Sequence, residues 1–266
     1  MHDMLGITLR GANGLGDKLQ FSSFPENYYR NTGEKVIDID SIWIFDHNPF
    51  VIRGSRPTRV IDLWSYPWPQ RAGVSPQQFV AKPIFSSIAE RTAGIFDHVV
   101  YLRHPRLYAY EHLAKLERRV ILHTTGQTFQ PRMGEDQPKV LSEEIIDHVR
   151  TKYHNRNYEV IQVGSSQDRD AHVIDCRGID NIWDTVRLIS QAGIFIGVDS
   201  GPSWVAASYR GIFAKKILMQ YSPDFLRSSF VPMHLMIPHQ HWYDASFIYF
   251  NRSQDDAGIT YSYLKV

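Results

Sequence analysis

The segment Asp199-Ser200-Gly201-Pro202-Ser203 has the residue types of an anion-binding turn, because it follows an apolar strand and precedes a small-residue helix. Gly201 lacks the Cβ that would keep a ligand away from the backbone. Ser200 or Ser203 can cap the helix, and Pro202 suits its first turn. Exposed amides and the helix dipole then favour a phosphate or a diphosphate, while Asp199 can accept hydrogen bonds from sugar hydroxyls. An ordinary capped strand-to-helix turn has the same residues, so both interpretations stay open.

Two threonines and a lysine are a second candidate for phosphate binding. Thr124 and Thr125 follow a strand-like run, and Lys139 follows them further along the chain. Hydroxyls, amides and a point charge can all bind phosphate oxygens. Lys139 taken alone is more typical of a solvated surface lysine. Asp168, after the next strand, can accept ribose hydroxyls or can simply end a turn.

Other patterns favour different chemistry less strongly. Gly11, Gly14 and Gly16 after a strand partly imitate a dinucleotide fingerprint, with Asp38 and Asp40 further on, but the order is not Gly-x-Gly-x-x-Gly. Asp38-x-Asp40 and Asp168-x-Asp170 could each pair two carboxylates on a divalent metal, although such pairs often arise by chance. Three histidines are the remaining candidate metal ligands, but no fixed helical spacing brings them together. They are His234, His239 and His241.

The elements that must position these residues alternate between strands and helices. In the first part, strands are predicted at 5–10, 35–39, 59–63 and 99–102. Helical spacing is predicted at 17–30, where Pro25 must kink or split the helix, and at 77–92 and 107–116. In the second part, strands are predicted at 120–123, 159–163, 172–175, 194–198 and 216–219, with helices at 142–153, 181–191 and 203–209. Two further β segments, 247–250 and 259–264, surround the turn 255–258.

This alternation predicts an α/β fold made of parallel sheets with right-handed crossovers. Two such sets meet at a charged stretch near residues 114–119. We therefore expect two Rossmann-like domains, 1–116 and 117–266, facing a cleft where the carboxyl ends of their strands bind ligands.

Bulk composition excludes several classes of protein. The 266 residues carry 29 basic and 28 acidic side chains, so a net charge of +1 gives no case for a nucleic-acid partner. The single cysteine, Cys176, cannot form an internal disulfide or a Cys-rich zinc site, which fits a reducing compartment. Apolar runs are far shorter than the roughly 20 residues of a membrane span, and the first twenty residues lack a secretory pattern. We expect a cytoplasmic protein without a transmembrane segment, with peripheral membrane contact left open.

Four segments, in order along the chain, resemble motifs of the heptosyltransferase-like glycosyltransferases of family 9. Asp-Ser-Gly-Pro at 199–202 with Ala206-Ala207 resembles the donor-site motif. Gly16-Asp17-Lys18-Leu19 with Ser23-Phe24-Pro25 resembles the family's amino-terminal helix start. The other two are Leu122-His123-Thr124-Thr125 with Lys139-Val140-Leu141-Ser142-Glu143-Glu144, which resembles the opening of the donor domain, and Val163-Gly164-Ser165-Ser166-Gln167-Asp168, which resembles the strand end near the nucleotide.

The resemblance implies a GT-B fold and inverting transfer without a metal or another cofactor. In this chain the first, acceptor-side domain is short. It implies that Asp17 is the base that takes the acceptor proton, although capping a helix start is an open alternative for this residue. The donor would be a nucleoside diphosphate sugar such as an ADP-heptose, and the acceptor a glycan or a lipid-linked saccharide. The donor-binding residues would be Thr124, Thr125, Lys139, Gly164, Asp168, Asp199, Ser200, Gly201, Pro202 and Ser203.

An inverting, metal-independent glycosyltransferase is therefore the leading hypothesis. Two alternatives remain at the level of the sequence. One is a nucleotide-sugar or NAD(P)-linked oxidoreductase or epimerase. The other is a catalytically degenerate scaffold that binds a sugar nucleotide or a glycan.

Overall fold

The computed structural model divides the chain into two compact units, one that extends to Glu111 and one that begins at His112. Each unit has its own sheet. The described residues are 4–10, 14–19, 21–63, 101–102, 105–126, 140–198, 200–221, 246–255 and 258–264. The sequence places its division a few residues later, between 116 and 117.

The first unit has a small parallel sheet. Its strands are β1 (Leu5–Thr8), β2 (Val36–Asp38), β3 (Val51–Ile52) and β4 (Arg59–Asp62). They pair in the order β3-β2-β1-β4, and each described pairing is parallel. A short 3₁₀ helix, Trp43–Phe45, precedes β3. Neither this helix nor β3 was predicted, because both are too short to produce a periodic pattern.

The helix predicted from residue 17 is split in two. Helix α1 covers Leu15–Leu19 and helix α2 covers Phe24–Thr32. Pro25 stands in the first turn of α2, where its missing N–H leaves no helical hydrogen bond unmade. Gly33 ends α2 in the left-handed conformation, with φ at 75°, as is common after a helix.

A predicted helix at 107–116 is wrong. The structure has irregular chain there, and Leu116 already begins a strand. Tyr110 has a φ of 60°, which a helix cannot contain. Tertiary contacts hold the segment instead, since the Tyr108 hydroxyl donates to Glu26 and the Arg106 amide donates to the Ser22 hydroxyl. The predicted helix at 77–92 lies outside the described residues, as does the first half of the predicted strand at 99–102. The other half, Tyr101 and Leu102, is irregular chain and not strand.

The second unit has a larger sheet with one reversal of strand order. Its strands are β5 (Leu116–His123), β6 (Glu159–Gly164), β7 (Ile174–Arg177), β8 (Ala192–Val198), β9 (Ala214–Tyr221), β10 (Ser246–Asp255) and β11 (Gly258–Leu264). They pair in the order β11-β10-β9-β8-β5-β6-β7. All these pairings are parallel except the hairpin of β10 and β11. The chain therefore leaves β5 in one direction for β6 and β7, and returns to its other side for β8.

Three helices accompany this sheet, namely α3 (Glu143–His154), α4 (Ile182–Ser190) and α5 (Gly201–Ala207). Polar side chains cap the first two, because Ser142 accepts the Ile145 amide and Asn181 accepts the Trp183 amide. Helix α3 contributes Ile146, Val149 and Tyr153 to a hydrophobic core cluster. The strands contribute Val120, Leu122, Val160, Ile194 and Ile196 to the same cluster. None of the described helices has the length and the apolar character to cross a membrane.

Candidate functional site

The carboxyl ends of three neighbouring strands form the candidate site. Strand β5 lies between β6 and β8, and it ends at His123, directly before Thr124 and Thr125. Strand β6 ends at Gly164, and β8 ends before Ser200. Open α/β sheets bind ligands outside the carboxyl ends of their strands, at the point where the strand order reverses. The reversal in this unit lies between β5 and β8.

A line of three side chains crosses this point. The Nδ1 atom of His123 lies 2.9 Å from the Ser200 hydroxyl, and its Nε2 atom lies 3.3 Å from Asp168 Oδ2. The side chains of His123 and Asp168 are 4% and 9% exposed. The same Asp168 oxygen accepts the Ser165 amide at 3.0 Å. Both ring nitrogens of a buried histidine therefore have polar partners.

Sequence reasoning did not single out His123. The signal available to it was a histidine at the end of the buried run Val120-Ile121-Leu122, where a fourth apolar residue would be ordinary. Histidines at such positions are often plain core residues. The signal becomes specific when Asp168 and Ser200 are known to be neighbours.

Two glycines make room for the side chain of His123. A Cβ on Gly164 would lie 2.0 Å from Asp168 Oδ2 and 3.0 Å from His123 Cδ2, and Gly164 has a φ of 136°. A Cβ on Gly197, in β8, would lie 3.1 Å from the Cβ of His123. The predicted donor-site residue Gly164 therefore permits the approach of Asp168 to His123.

Gln162 fastens the loop after β6 to the end of β5. Its side chain is fully buried, and its Nε2 donates to Thr124 Oγ1 at 3.0 Å and to the Arg169 carbonyl at 2.7 Å. Its Oε1 accepts the Ala171 amide at 2.8 Å. The Thr124 hydroxyl donates to the same Arg169 carbonyl at 2.6 Å.

Both threonine hydroxyls thus contact the loop. Thr125 Oγ1 accepts the Arg169 amide at 3.0 Å. Arg169 in turn donates from Nη1 to the Leu141 carbonyl at 2.7 Å. The predicted phosphate contacts of Thr124 and Thr125 stay predictions, and in this structure their hydroxyls position the loop that carries Asp168.

Gln162→Leu is expected to lower the free energy of unfolding by about 2–4 kcal/mol, because an apolar side chain of similar size leaves buried polar partners unsatisfied. Urea unfolding followed by circular dichroism measures the change. Gln167→Leu, at an exposed position of the same loop, is the matched control and should change stability by less than about 0.5 kcal/mol. Equal effects of the two substitutions would contradict the role given to Gln162.

Arg177 holds the same loop from β7. Its Nη1 donates to the Asp168 carbonyl at 2.6 Å, and its guanidinium pairs with Asp175 and Asp170. The hydrogen bonds from Arg177 lower the pKa of Asp175 to about 2. The carboxylates of Asp168 and Asp170 thus have separate partners, His123 for the first and Arg177 for the second.

The start of α5 differs from the sequence expectation in its capping. Ser200 is extended and precedes the helix, but its side chain makes no capping hydrogen bond; it contacts His123 and, at 3.1 Å, the Val198 carbonyl. The Ser203 hydroxyl also donates to the Val198 carbonyl. The predicted capping by Ser200 or Ser203 is therefore wrong, because both hydroxyls have other partners. Pro202 does stand in the first turn, after Gly201.

The remaining predicted residues are described in part or not at all. Asp17 is the third residue of α1, so it lies inside the helix and not at the preceding cap position. The structure describes its backbone and not its side chain. Lys139 and Asp199 lie outside the described residues, as do His234, His239 and His241.

The dinucleotide alternative finds little support at Asp38. Its side chain is fully buried, and it accepts the Ile42 amide at 2.8 Å beside Arg53. Burial raises the pKa of this carboxyl. The carboxylate of Asp40 is also paired, since its Oδ1 lies 3.8 Å from Arg10 Nη2. Within the described residues, no group of three or more histidine, cysteine or acidic side chains could hold a metal ion.

Neither a protein-family model nor a curated protein matches this sequence. Solved structures do match it. A glycosyl transferase of family 9 from Veillonella parvula DSM 2008 is 12% identical, with a TM-score of 0.58 over 93% of this chain and 85% of the other. The E. coli heptosyltransferase WaaC with ADP is 13% identical, with a TM-score of 0.56 over 83% and 87%.

A third match is the iron-containing dodecameric glycosyltransferase TibC from enterotoxigenic E. coli H10407. It is 17% identical, with a TM-score of 0.51 over 81% of this chain and 59% of the other. The chain thus has the fold of these glycosyltransferases. The predicted α/β architecture of the GT-B type and the resemblance to heptosyltransferases are confirmed at the level of the fold.

Proposed function

We propose that this chain is a glycosyltransferase that moves a sugar from a nucleoside diphosphate sugar to a hydroxyl group of a glycan or a lipid-linked saccharide. The observation that carries the proposal is the cluster of Asp168, His123 and Ser200 at the strand-order reversal of the second unit. The fold that holds this cluster is shared with sugar-transferring enzymes. Because the matching WaaC structure contains ADP, an ADP-sugar is the first donor to test, with heptose as its sugar. The lone cysteine is consistent with a cytoplasmic enzyme.

The proposed reaction is a single displacement with inversion. The acceptor oxygen forms a bond to the anomeric carbon while the bond from that carbon to the diphosphate oxygen breaks. Asp17 takes the proton of the acceptor hydroxyl. Hydrogen-bond donors around Thr125, Ser200 and Gly201 stabilise the charge that develops on the leaving diphosphate.

A thermal-shift screen tests the donor class. ADP, UDP, GDP, CDP, inorganic diphosphate and NAD are each added to the full chain. A ligand at 100 times its dissociation constant adds about 2.7 kcal/mol to the free energy of unfolding. We expect stabilisation by ADP and not by NAD. Stabilisation by NAD alone, or by no nucleoside diphosphate, would contradict the proposal.

Turnover separates an enzyme from a binding scaffold. The full chain is incubated with ADP-heptose, with water as the acceptor, and the release of ADP is followed. We expect release to be catalytic, with more than one ADP for each protein molecule. Binding of ADP without any release would favour the scaffold.

Metal independence is part of the proposal, and the iron in TibC makes its test worthwhile. In the proposed displacement Asp17 is the base, and hydrogen-bond donors of the chain stabilise the leaving diphosphate, so neither role requires a metal. Treatment with EDTA and gel filtration is therefore expected to leave the rate of ADP release within about twofold of the untreated value. A loss that added iron or magnesium restores would show that a metal takes part.

A further inference from the structure

Asp168, His123 and Ser200 form a chain of polar contacts that reaches the proposed diphosphate position. We infer that His123 is a positioning residue that couples the uptake of one proton to diphosphate binding. The doubly protonated ring turns the Ser200 hydroxyl hydrogen toward the ligand. This inference rests on the proposed function, because it takes the diphosphate of a sugar nucleotide as the ligand.

The two nitrogens of His123 have different neighbours. Nε2 lies 3.3 Å from the carboxylate of Asp168, at ion-pair distance. Because a carboxylate accepts hydrogens and cannot donate one, we take Nε2 as the nitrogen that carries a hydrogen in the neutral ring. Nδ1 faces the Ser200 hydroxyl at 2.9 Å, and a hydroxyl can donate or accept. Protonation of the ring therefore changes the contact with Ser200 and leaves the contact with Asp168 in place.

The hydroxyl of Ser200 has a single hydrogen to give. With a neutral ring, Nδ1 accepts that hydrogen, and an approaching phosphate oxygen meets the lone pairs of Oγ. With a doubly protonated ring, Nδ1–H donates to Oγ, and the hydroxyl hydrogen is free to leave the Val198 carbonyl, 3.1 Å away, for a phosphate oxygen. The proton comes from solvent, and no covalent bond other than N–H is formed.

The charged groups near His123 come from two elements. From the loop after β6, the Asp168 carboxylate contacts the ring, with the Ser165 amide on the same oxygen. Behind it, on β7, Arg177 binds the Asp168 carbonyl and pairs with Asp170 and Asp175. On strand β8, Gly197 lies beside the Cβ of His123 and has no titratable side chain. Asp199, beside Ser200 in the chain, lies outside the described residues.

The burial of His123 supports a polar role. The side chain of His123 is 4% exposed. If it served packing alone, an apolar ring would fill the same space without the cost of burying two polar nitrogens. The protein has Gly164 where a Cβ would crowd both this ring and the Asp168 carboxylate. This glycine preserves the contact of Nε2 with Asp168.

Calorimetric titration of the full chain with ADP and with inorganic diphosphate, from about pH 5 to about pH 8, tests the inference. Native affinity is expected to fall roughly tenfold as the pH rises, which corresponds to one charge-assisted hydrogen bond. Titrations in two buffers of different ionisation enthalpy measure the proton taken up on binding. His172→Gln, which removes a histidine whose side chain is 69% exposed, is the matched control and should keep the native profile.

Two variants separate the two ring nitrogens. The amide of His123→Gln reaches the position of Nε2 and keeps the Asp168 contact, so affinity should fall about tenfold at acidic pH and lose its pH dependence. The amide of His123→Asn lies near Nδ1 and can still donate to Ser200, so it should bind more tightly than His123→Gln and also without pH dependence. The titration of the ligand itself is common to all variants and cancels in the comparison.

A native profile in either His123 variant would overturn the inference, as would the absence of proton uptake by the native protein. If the native protein binds neither ADP nor inorganic diphosphate at any pH, the proposed function fails and the inference fails with it. Binding with a flat profile overturns the inference alone. Melting curves establish that each variant is folded, and native proton uptake decides the question if one of them is not.

Discussion

Asp17→Asn is expected to lower the rate of ADP release from ADP-heptose at least about a hundredfold, because asparagine cannot accept the proton of the attacking hydroxyl. Asparagine keeps the shape of the side chain, and the proposed donor contacts do not include Asp17, so the affinity for ADP should stay near the native value. Asp17 lies in α1, in the first unit, whereas the proposed donor site lies in the second. Calorimetry and turnover on the same preparation give both quantities.

Asp147→Asn is the matched control for this variant. It removes an exposed carboxylate on α3, with 58% of its side chain accessible, and should leave both quantities unchanged. A near-native rate in Asp17→Asn would mean that another group is the base. Loss of the melting transition would instead favour a structural role for Asp17 at the start of the helix.

Gly164→Ala is expected to lower the free energy of unfolding by about 3–5 kcal/mol, through backbone strain and the loss of a buried polar contact. The φ of 136° disfavours any side chain, and the added methyl group would stand 2.0 Å from Asp168 Oδ2. For a unit of this size the melting temperature should fall by roughly 10 °C. Because Asp168 must then leave His123, the pH dependence of ADP binding should be lost as well.

Gly33→Ala isolates the backbone contribution. Gly33 also has a positive φ, at 75°, but no atom lies within 4 Å of an added Cβ. Its substitution should cost about 1 kcal/mol and leave ADP binding at the native affinity. Similar losses in the two variants would mean that strain, and not the displacement of Asp168, dominates at Gly164.

Much of the fold follows from short-range patterns in the sequence. Apolar runs of strand length alternate with helical spacing, and this alternation predicts parallel strands with helical crossovers. Local signals also set several ends of elements, such as Ser142 before α3 and Pro25 in the first turn of α2. The hairpin of β10 and β11 forms around the predicted turn, with Asp255 opposite Gly258.

Local patterns fail where distant residues fix the conformation. The segment around Tyr108 has a helix-like composition, yet its contacts with Glu26 and Ser22 hold it as irregular chain. Serines near a helix start predict capping, yet Ser200, before α5, and Ser203, inside it, direct their hydroxyls to His123 and to the Val198 carbonyl. In each case a partner far along the chain, or a buried carbonyl, competes successfully with the local preference.

The sequence by itself determined which loops carry polar residues after buried strands, because strand ends and small-residue turns are encoded locally. The tertiary structure decided which of those loops meet. Strand β5 pairs with β6 on one side and with β8 on the other, so His123 comes to lie between Asp168 and Ser200. Ser200 is 77 residues from His123 along the chain. Strand order depends on crossovers and on packing over such distances, and no local pattern records it.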